Sequence, residues 1–80
     1  MYVTIKIAAG FRYYVPNVDH LLEDVVCEVS DGSTIGHVLE KMHFPKNVVS
    51  IIFLNGHLAS KDNVLKENDQ IFLAMPMVGG

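Results

Sequence analysis

The sequence predicts a single α+β domain of two layers, a mixed sheet of about five strands wrapped around one main helix. Three observations predict it. Several stretches alternate apolar and polar residues with a period of two, as half-buried strands do. A single stretch carries apolar residues at helical spacing, so only one helix is available to cover the sheet. Finally, 80 residues of which 50% are hydrophobic support one core and exclude a large two-lobed enzyme, because a chain this short buries only roughly 60–65% of the surface its unfolded form exposes.

The first strand runs over residues 2–7, where Val3, Ile5 and Ile7 share one face. Residues 25–30 repeat the pattern, with Val25, Cys27 and Val29 inward and Glu28 and Ser30 outward, and end at the turn signal Asp31-Gly32. Between them, Phe11, Tyr13, Tyr14, Pro16, Leu21 and Leu22 make residues 10–24 apolar for a solvated loop. A short helical turn fits there, but no periodicity places one. Thr34 is a helix N-cap, since its hydroxyl can accept an orphan first-turn N–H. Ile35, Val38, Leu39 and Met42 then recur at i, i+3, i+4 and i+7. The helix stops before Pro45, whose ring disfavours helical geometry in Phe44.

Residues 48–54 are β-branched and aromatic, and Asn55-Gly56 is a tight-turn signal because both residues tolerate positive φ. The chain therefore returns through a short strand at His57 and Leu58. Lys66-Glu67-Asn68-Asp69 forms a second polar turn with Asn68 left-handed, and the last strand covers residues 70–75. The organisation is a domain over 1–74 and a flexible tail over 75–80.

Composition narrows the function. Six basic residues against nine acidic ones, a net charge of −3, give no electrostatic footprint for nucleic acid. One cysteine excludes an internal disulfide and favours a reducing, cytoplasmic setting. No apolar run approaches the ~20 residues that span a bilayer, so no membrane partner is expected.

The most informative feature is the end, Gly79-Gly80. At an average glycine usage of roughly 7%, such a pair ends about 0.5% of chains by chance. Free of side chains, it can lie extended in a narrow channel of a partner and present a carboxylate there. Residues 75–80 reach about 20 Å beyond the sheet.

With these blocks in order, the chain resembles the β-grasp sulfur carriers, which share the ubiquitin fold and include the small subunit of molybdopterin synthase and the thiamine-biosynthesis carrier. Val3 to Ile7 followed by Ala9-Gly10-Phe11-Arg12 is similar to the family's first strand and F-A-x-L-R segment. Asp31-Gly32-Ser33-Thr34-Ile35 with Val38-Leu39 resembles its turn and capped helix, and Leu54-Asn55-Gly56 its V-N-G turn. Residues 65–71 are similar to L-x-D-G-D-E-V, and Val78-Gly79-Gly80 to the tail. Two features depart from the pattern: Met75-Pro76 stands where the molybdopterin-type tail has Pro-Pro, and the stretch between Arg12 and Thr34 is longer.

The resemblance implies that an ATP-using adenylating enzyme activates the Gly80 carboxylate, that a sulfur donor protein converts it to a thiocarboxylate, and that a larger molybdopterin synthase-type subunit uses the sulfur. Gly80 is then the reacting residue and Gly79 keeps its approach clear. The domain supplies grip and binds neither metal nor permanent cofactor; ATP is used by the partner. It is a carrier or co-substrate rather than a self-sufficient enzyme. Three rivals stay open: the thiamine-type carrier serving a thiazole synthase, a ubiquitin-like modifier conjugated through Gly80, and an interaction module without the chemistry.

Strand parity indicates where partners hold it. Ile71 and Leu73 point inward, sending Phe72 and Ala74 outward, while Ile52 and Leu54 face in and Ile51 and Phe53 face out. If the two strands are neighbours, Phe53, Phe72 and Ala74 form an exposed apolar patch continuous with Met75, Pro76, Met77 and Val78. The alternative is that residues 10–24 cover the rings. Cys27 reads as a core thiol rather than a sulfur-relay nucleophile. His20, His37, His43 and His57 lack metal-ligand spacing, and Asp31, Glu40, Glu67 and Asp69 read as solvated charge near turns and helix faces.

Overall fold

The computed structural model describes residues 1–8, 24–42, 44 and 51–74. In chain order these form β1 (Tyr2–Ile7), β2 (Val25–Glu28), α1 (Ile35–Lys41), β3 (Ile51–Leu54), β4 (His57–Ala59) and β5 (Gln70–Ala74). The strands make one sheet in the order β2-β1-β5-β3-β4. Its central pair, β1 and β5, is parallel, and the pairs β1–β2, β3–β5 and β3–β4 are antiparallel. The mixed sheet over one helix is as the sequence predicts.

The period-two pattern sorts β1 as expected: Val3, Ile5 and Ile7 are buried and their alternates are not. Ile71 and Leu73 on β5 and Ile52 on β3 join the same core, against which α1 sets Ile35, Val38 and Leu39. Burying each such side chain contributes about 1.5–3 kcal/mol relative to leaving it in water. Val25 and Cys27 pack at the margin of this core while Val26 faces out, 65% exposed. The inward parity of the second strand therefore holds, although β2 ends at Glu28 rather than Ser30. Val29 is still tied to the first strand, since the Met1 amino group donates to its carbonyl at 2.9 Å and its N–H donates to Met1 at 2.8 Å.

The start of α1 is fixed by a capping box. Thr34 Oγ1 accepts from the His37 N–H at 3.3 Å, and His37 Nδ1 accepts from the Thr34 N–H at 3.0 Å, with a histidine in the place Glu or Gln usually takes. The other two donors of the first turn cross to the loop after β4: Ile35 N–H donates to Asn63 O at 3.0 Å and Gly36 N–H to Lys61 O at 2.9 Å. Leu65 N–H returns a bond to Ser33 O at 2.8 Å. The orphan donors of the helix thus fasten it to the chain that leads into β5. Met42 is the C-cap, and Phe44 beyond it is buried.

The turns expected at Asp31-Gly32, at Asn55-Gly56 and at residues 66–69 are all present. Asn55 and Gly56 have φ of 52° and 85°, and Asn68 has φ of 67°. Asp69 is a correction: it is only 8% exposed rather than solvated. The Lys66 N–H donates to its Oδ2 at 2.7 Å and Asn55 Nδ2 to its Oδ1 at 2.9 Å, so the carboxylate ties the two turns together. Most of residues 10–24, the strand start expected at Val48, and the tail over 75–80 lie outside the described residues.

Candidate functional site

The sheet has one face on the helix and one turned away from it, and the outer face carries the candidate site. Register places the outward residues in a row. Lys6 pairs with Phe72 across β1–β5, Phe72 with Phe53 across β5–β3, and Phe53 with Leu58 across β3–β4. The two rings are neighbours, with centroids 6.3 Å apart and planes at 33°, within the range where aromatic pairs attract. Ala74 pairs with Ile51 one step along. The parity argument therefore brings Phe53, Phe72 and Ala74 together on one face. These three residues are half-buried rather than fully open.

Leu58 extends the row to the sheet edge and is 76% exposed. The strand parity of β3 and β5 does not reveal it, but the turn length does. A two-residue Asn-Gly turn sets Leu54 opposite His57, which forces Leu58 opposite Phe53 and onto its face. On the other flank, Tyr2 and Val26 are also exposed. Between them and the rings lies a polar strip. Thr4, Lys6, Asp24 and Gln70 join Phe53 and Phe72 around a depression of about 430 Å³. Lys6 Nζ and Asp24 Oδ1 are 3.8 Å apart, both well exposed, so this is a loose surface pair of small energetic weight. The face is thus of mixed character, apolar toward β4 and polar toward β1.

The chain leaves the described part of this face at Ala74. Gly79 and Gly80, and with them Met75, Pro76, Met77 and Val78, lie outside the described residues. Their root is firmly held, because β5 is paired with β1 on one side and β3 on the other. The remaining candidates have structural employment. Burial raises the pKa of Cys27, with the Lys41 charge opposing in part, which keeps it a thiol and matches a core role. His37 serves the capping box, and His57 is an exposed residue of β4. Among the described residues no cluster of His, Cys, Asp and Glu could hold a metal, and no helix is long and apolar enough to cross a membrane.

Among the described residues, a mixed sheet with a parallel central pair, one helix between β2 and β3, and the last strand in the middle of the sheet define a ubiquitin-like β-grasp domain. The chain belongs to the Mut7-C ubiquitin family, whose match spans residues 1–78. No curated protein matches the sequence significantly. Among solved structures, a protein from Pyrococcus furiosus assigned as molybdopterin converting factor subunit 1 superposes with a TM-score of 0.73 at 21% identity, covering 96% of this chain and 99% of that one. SAMP1 from Haloferax volcanii gives 0.69 at 18% identity with both chains fully covered. A chain from the complex of subunits 1 and 2 of the molybdopterin-converting factor of Helicobacter pylori gives 0.62 at 20% identity, again with both fully covered. At these identities the likeness establishes the fold.

Proposed function

We propose that the protein is a sulfur carrier in molybdopterin (molybdenum or tungsten cofactor) biosynthesis, with Gly80 as the group that is loaded. The observation that supports this most is the end-to-end match to chains described as subunit 1 of a molybdopterin converting factor, combined with Gly79-Gly80 following β5. The chemistry requires Gly80 to carry a free carboxylate. With a pKa of about 3.3–3.7 that group is ionised at neutral pH and a poor electrophile, so a partner must activate it. In an ATP-using adenylating enzyme, a carboxylate oxygen attacks the α-phosphorus and pyrophosphate leaves. Hydrosulfide released by a sulfur donor protein then attacks the acyl carbon, AMP leaves and a proton is lost to give the thiocarboxylate, which passes its sulfur to a precursor on a larger subunit. This chain contributes the carboxylate, an unobstructed approach at Gly79, and an outer face with Phe53, Phe72 and Leu58 for partners to grip. The H. pylori chain comes from a complex with a second subunit, which favours a larger partner here too.

The test is the intact mass of the protein purified after co-expression with an adenylating enzyme and a sulfur donor. A sulfur-for-oxygen gain confined to the C-terminal peptide supports the carrier, and removal of Gly80 abolishes it. A C-terminal peptide that extends past Gly80, or no gain in any condition, refutes it. A second reading, conjugation of Gly80 to a lysine of another protein, is favoured by the likeness to a small archaeal modifier protein. It predicts a ladder of larger species linked through Gly80 by isopeptide bonds.

A further inference from the structure

The Asn55-Gly56 turn carries a reactivity that the outer face and the tail leave unused. An asparagine followed by glycine can lose its side-chain amide, because no Cβ shields the following backbone nitrogen from the side-chain carbonyl carbon. Both residues are exposed. Yet the Asn55 carboxamide is held at each end, Nδ2 donating to Asp69 Oδ1 and Oδ1 accepting from the Gln70 N–H, both at 2.9 Å. Asp69 cannot follow a rotating amide. It is buried, its other oxygen accepts from the Lys66 N–H, and its own carbonyl accepts from the Thr4 N–H at 2.9 Å.

We propose that Asn55 is a site of spontaneous deamidation in this protein, and that Asp69 and Gln70 hold it unreactive while the two turns stay docked. In the reaction the Gly56 nitrogen loses its proton to solvent and bonds to Asn55 Cγ. The Cγ–Nδ2 bond breaks, and the nitrogen takes up a proton and leaves as ammonia. Water then opens the ring to aspartate or isoaspartate, with no change of oxidation state. Turning Cγ toward the Gly56 nitrogen breaks both hydrogen bonds of the carboxamide. Asp69, as an acceptor from Nδ2, supplies no proton to the departing group. Modification therefore proceeds through opening of the turn pair. Its product sets a carboxylate where an amide donor met Asp69, and two carboxylates at hydrogen-bond distance do not both ionise readily. Gly56 also borders the depression on the outer face, so the modified hairpin disturbs the surface that presents Phe53 and Leu58.

The experiment follows ammonia loss residue by residue with peptide mass mapping, in the native full chain and in the same chain unfolded in urea, with Asn63-Val64 as the internal comparator. In urea, Asn55 reacts far faster than Asn63. In the native protein its rate falls roughly thirtyfold or more, the equivalent of two ordinary hydrogen bonds surrendered before reaction. Asp69→Asn leaves two donors competing for one oxygen, and raises the native rate several-fold. Equal rates at Asn55 in native and unfolded chains overturn the proposal, as does an unfolded-chain rate no greater than that of Asn63. An unchanged rate in a folded Asp69→Asn variant does the same. If that variant does not fold, the native-to-urea ratio alone decides.

Discussion

Phe72 and Leu73 are adjacent on β5 and face opposite ways, so truncating each in turn separates the outer face from the core. Leu73 is 0% exposed, and Leu73→Ala should cost about 2–5 kcal/mol, the removed methyl groups plus the cavity they leave. Phe72 is partly buried, so Phe72→Ala forfeits about two thirds or more of a full Phe burial, roughly 1–2 kcal/mol. The ring pair with Phe53, 6.3 Å between centroids, adds about 0.5–1 kcal/mol. The sum, about 2 kcal/mol, is half or less of the upper Leu73 value. At roughly 4–8 °C per kcal/mol for a domain of this size, calorimetry should show a drop of about 10 °C for Phe72→Ala and about 20 °C for Leu73→Ala. Binding to the larger subunit of the proposed pathway, measured by titration calorimetry where both variants are folded, should rank the other way, with Phe72→Ala at least tenfold weaker and Leu73→Ala close to wild type. If Phe72→Ala unfolds the domain as severely as Leu73→Ala and leaves affinity intact, Phe72 belongs to a core and the outer-face argument fails.

Three further outcomes are expected. Thr34→Ala removes the acceptor for the His37 N–H and should lower stability by about 1 kcal/mol, while Thr34→Ser restores most of it; equal denaturant midpoints for all three proteins would show that the cap contributes nothing. Gly36→Ala should fail to deliver the ~1 kcal/mol that helix propensity promises, because its Cβ would sit 3.3 Å from the Lys61 carbonyl oxygen that the Gly36 N–H already binds; a gain of the full amount in urea unfolding would contradict the close approach. Cys27 should react with iodoacetamide more slowly than an unfolded-chain thiol, because burial raises its pKa. The unfolded state then ionises first, so the stabilisation this thiol contributes is complete below the ordinary thiol range and is lost as pH rises through that range toward the raised value. Alkylation at the unfolded-chain rate would place Cys27 at the surface.

Legibility from sequence followed the range over which each feature is encoded. Period-two alternation placed the core of β1, β3 and β5 because side-chain parity is local, and Asn55, Gly56 and Asn68 announced their positive φ through their own chemistry. The strand ends were less legible. Ser30 fits β2 by pattern, but the ladder to β1 ends where Glu28 faces Tyr2, and beyond it Val29 is joined to Met1 by hydrogen bonds alone. Asp69 reads as solvated in the sequence because its burial depends on Asn55, fourteen residues away, and an acidic residue in a polar turn gives no sign of such a partner. Leu58 was recoverable from the turn length, whereas the half-burial of Phe53 and Phe72 was not, since parity gives a direction and says nothing of what lies alongside.

The position of β5 connects the fold to the proposed role. A strand that carried a reactive tail from the edge of a sheet would be held by one ladder, and a partner drawing on the tail could peel it away. Here β5 lies between β1 and β3, and its ends are tied beyond the strand itself. The Thr4 N–H donates to the Asp69 carbonyl where β5 begins, and the Ala8 N–H to the Leu73 carbonyl near its end. Tension applied at residue 75 is therefore shared by two ladders and by the core residues Ile71 and Leu73. The same strand presents Phe72 to the outer face, so a partner that grips Phe53, Phe72 and Leu58 holds the domain at the root of the tail. Grip and delivery are thereby placed on one rigid element, which is what the proposed carrier role asks of so small a domain: to be handed between larger proteins without unfolding.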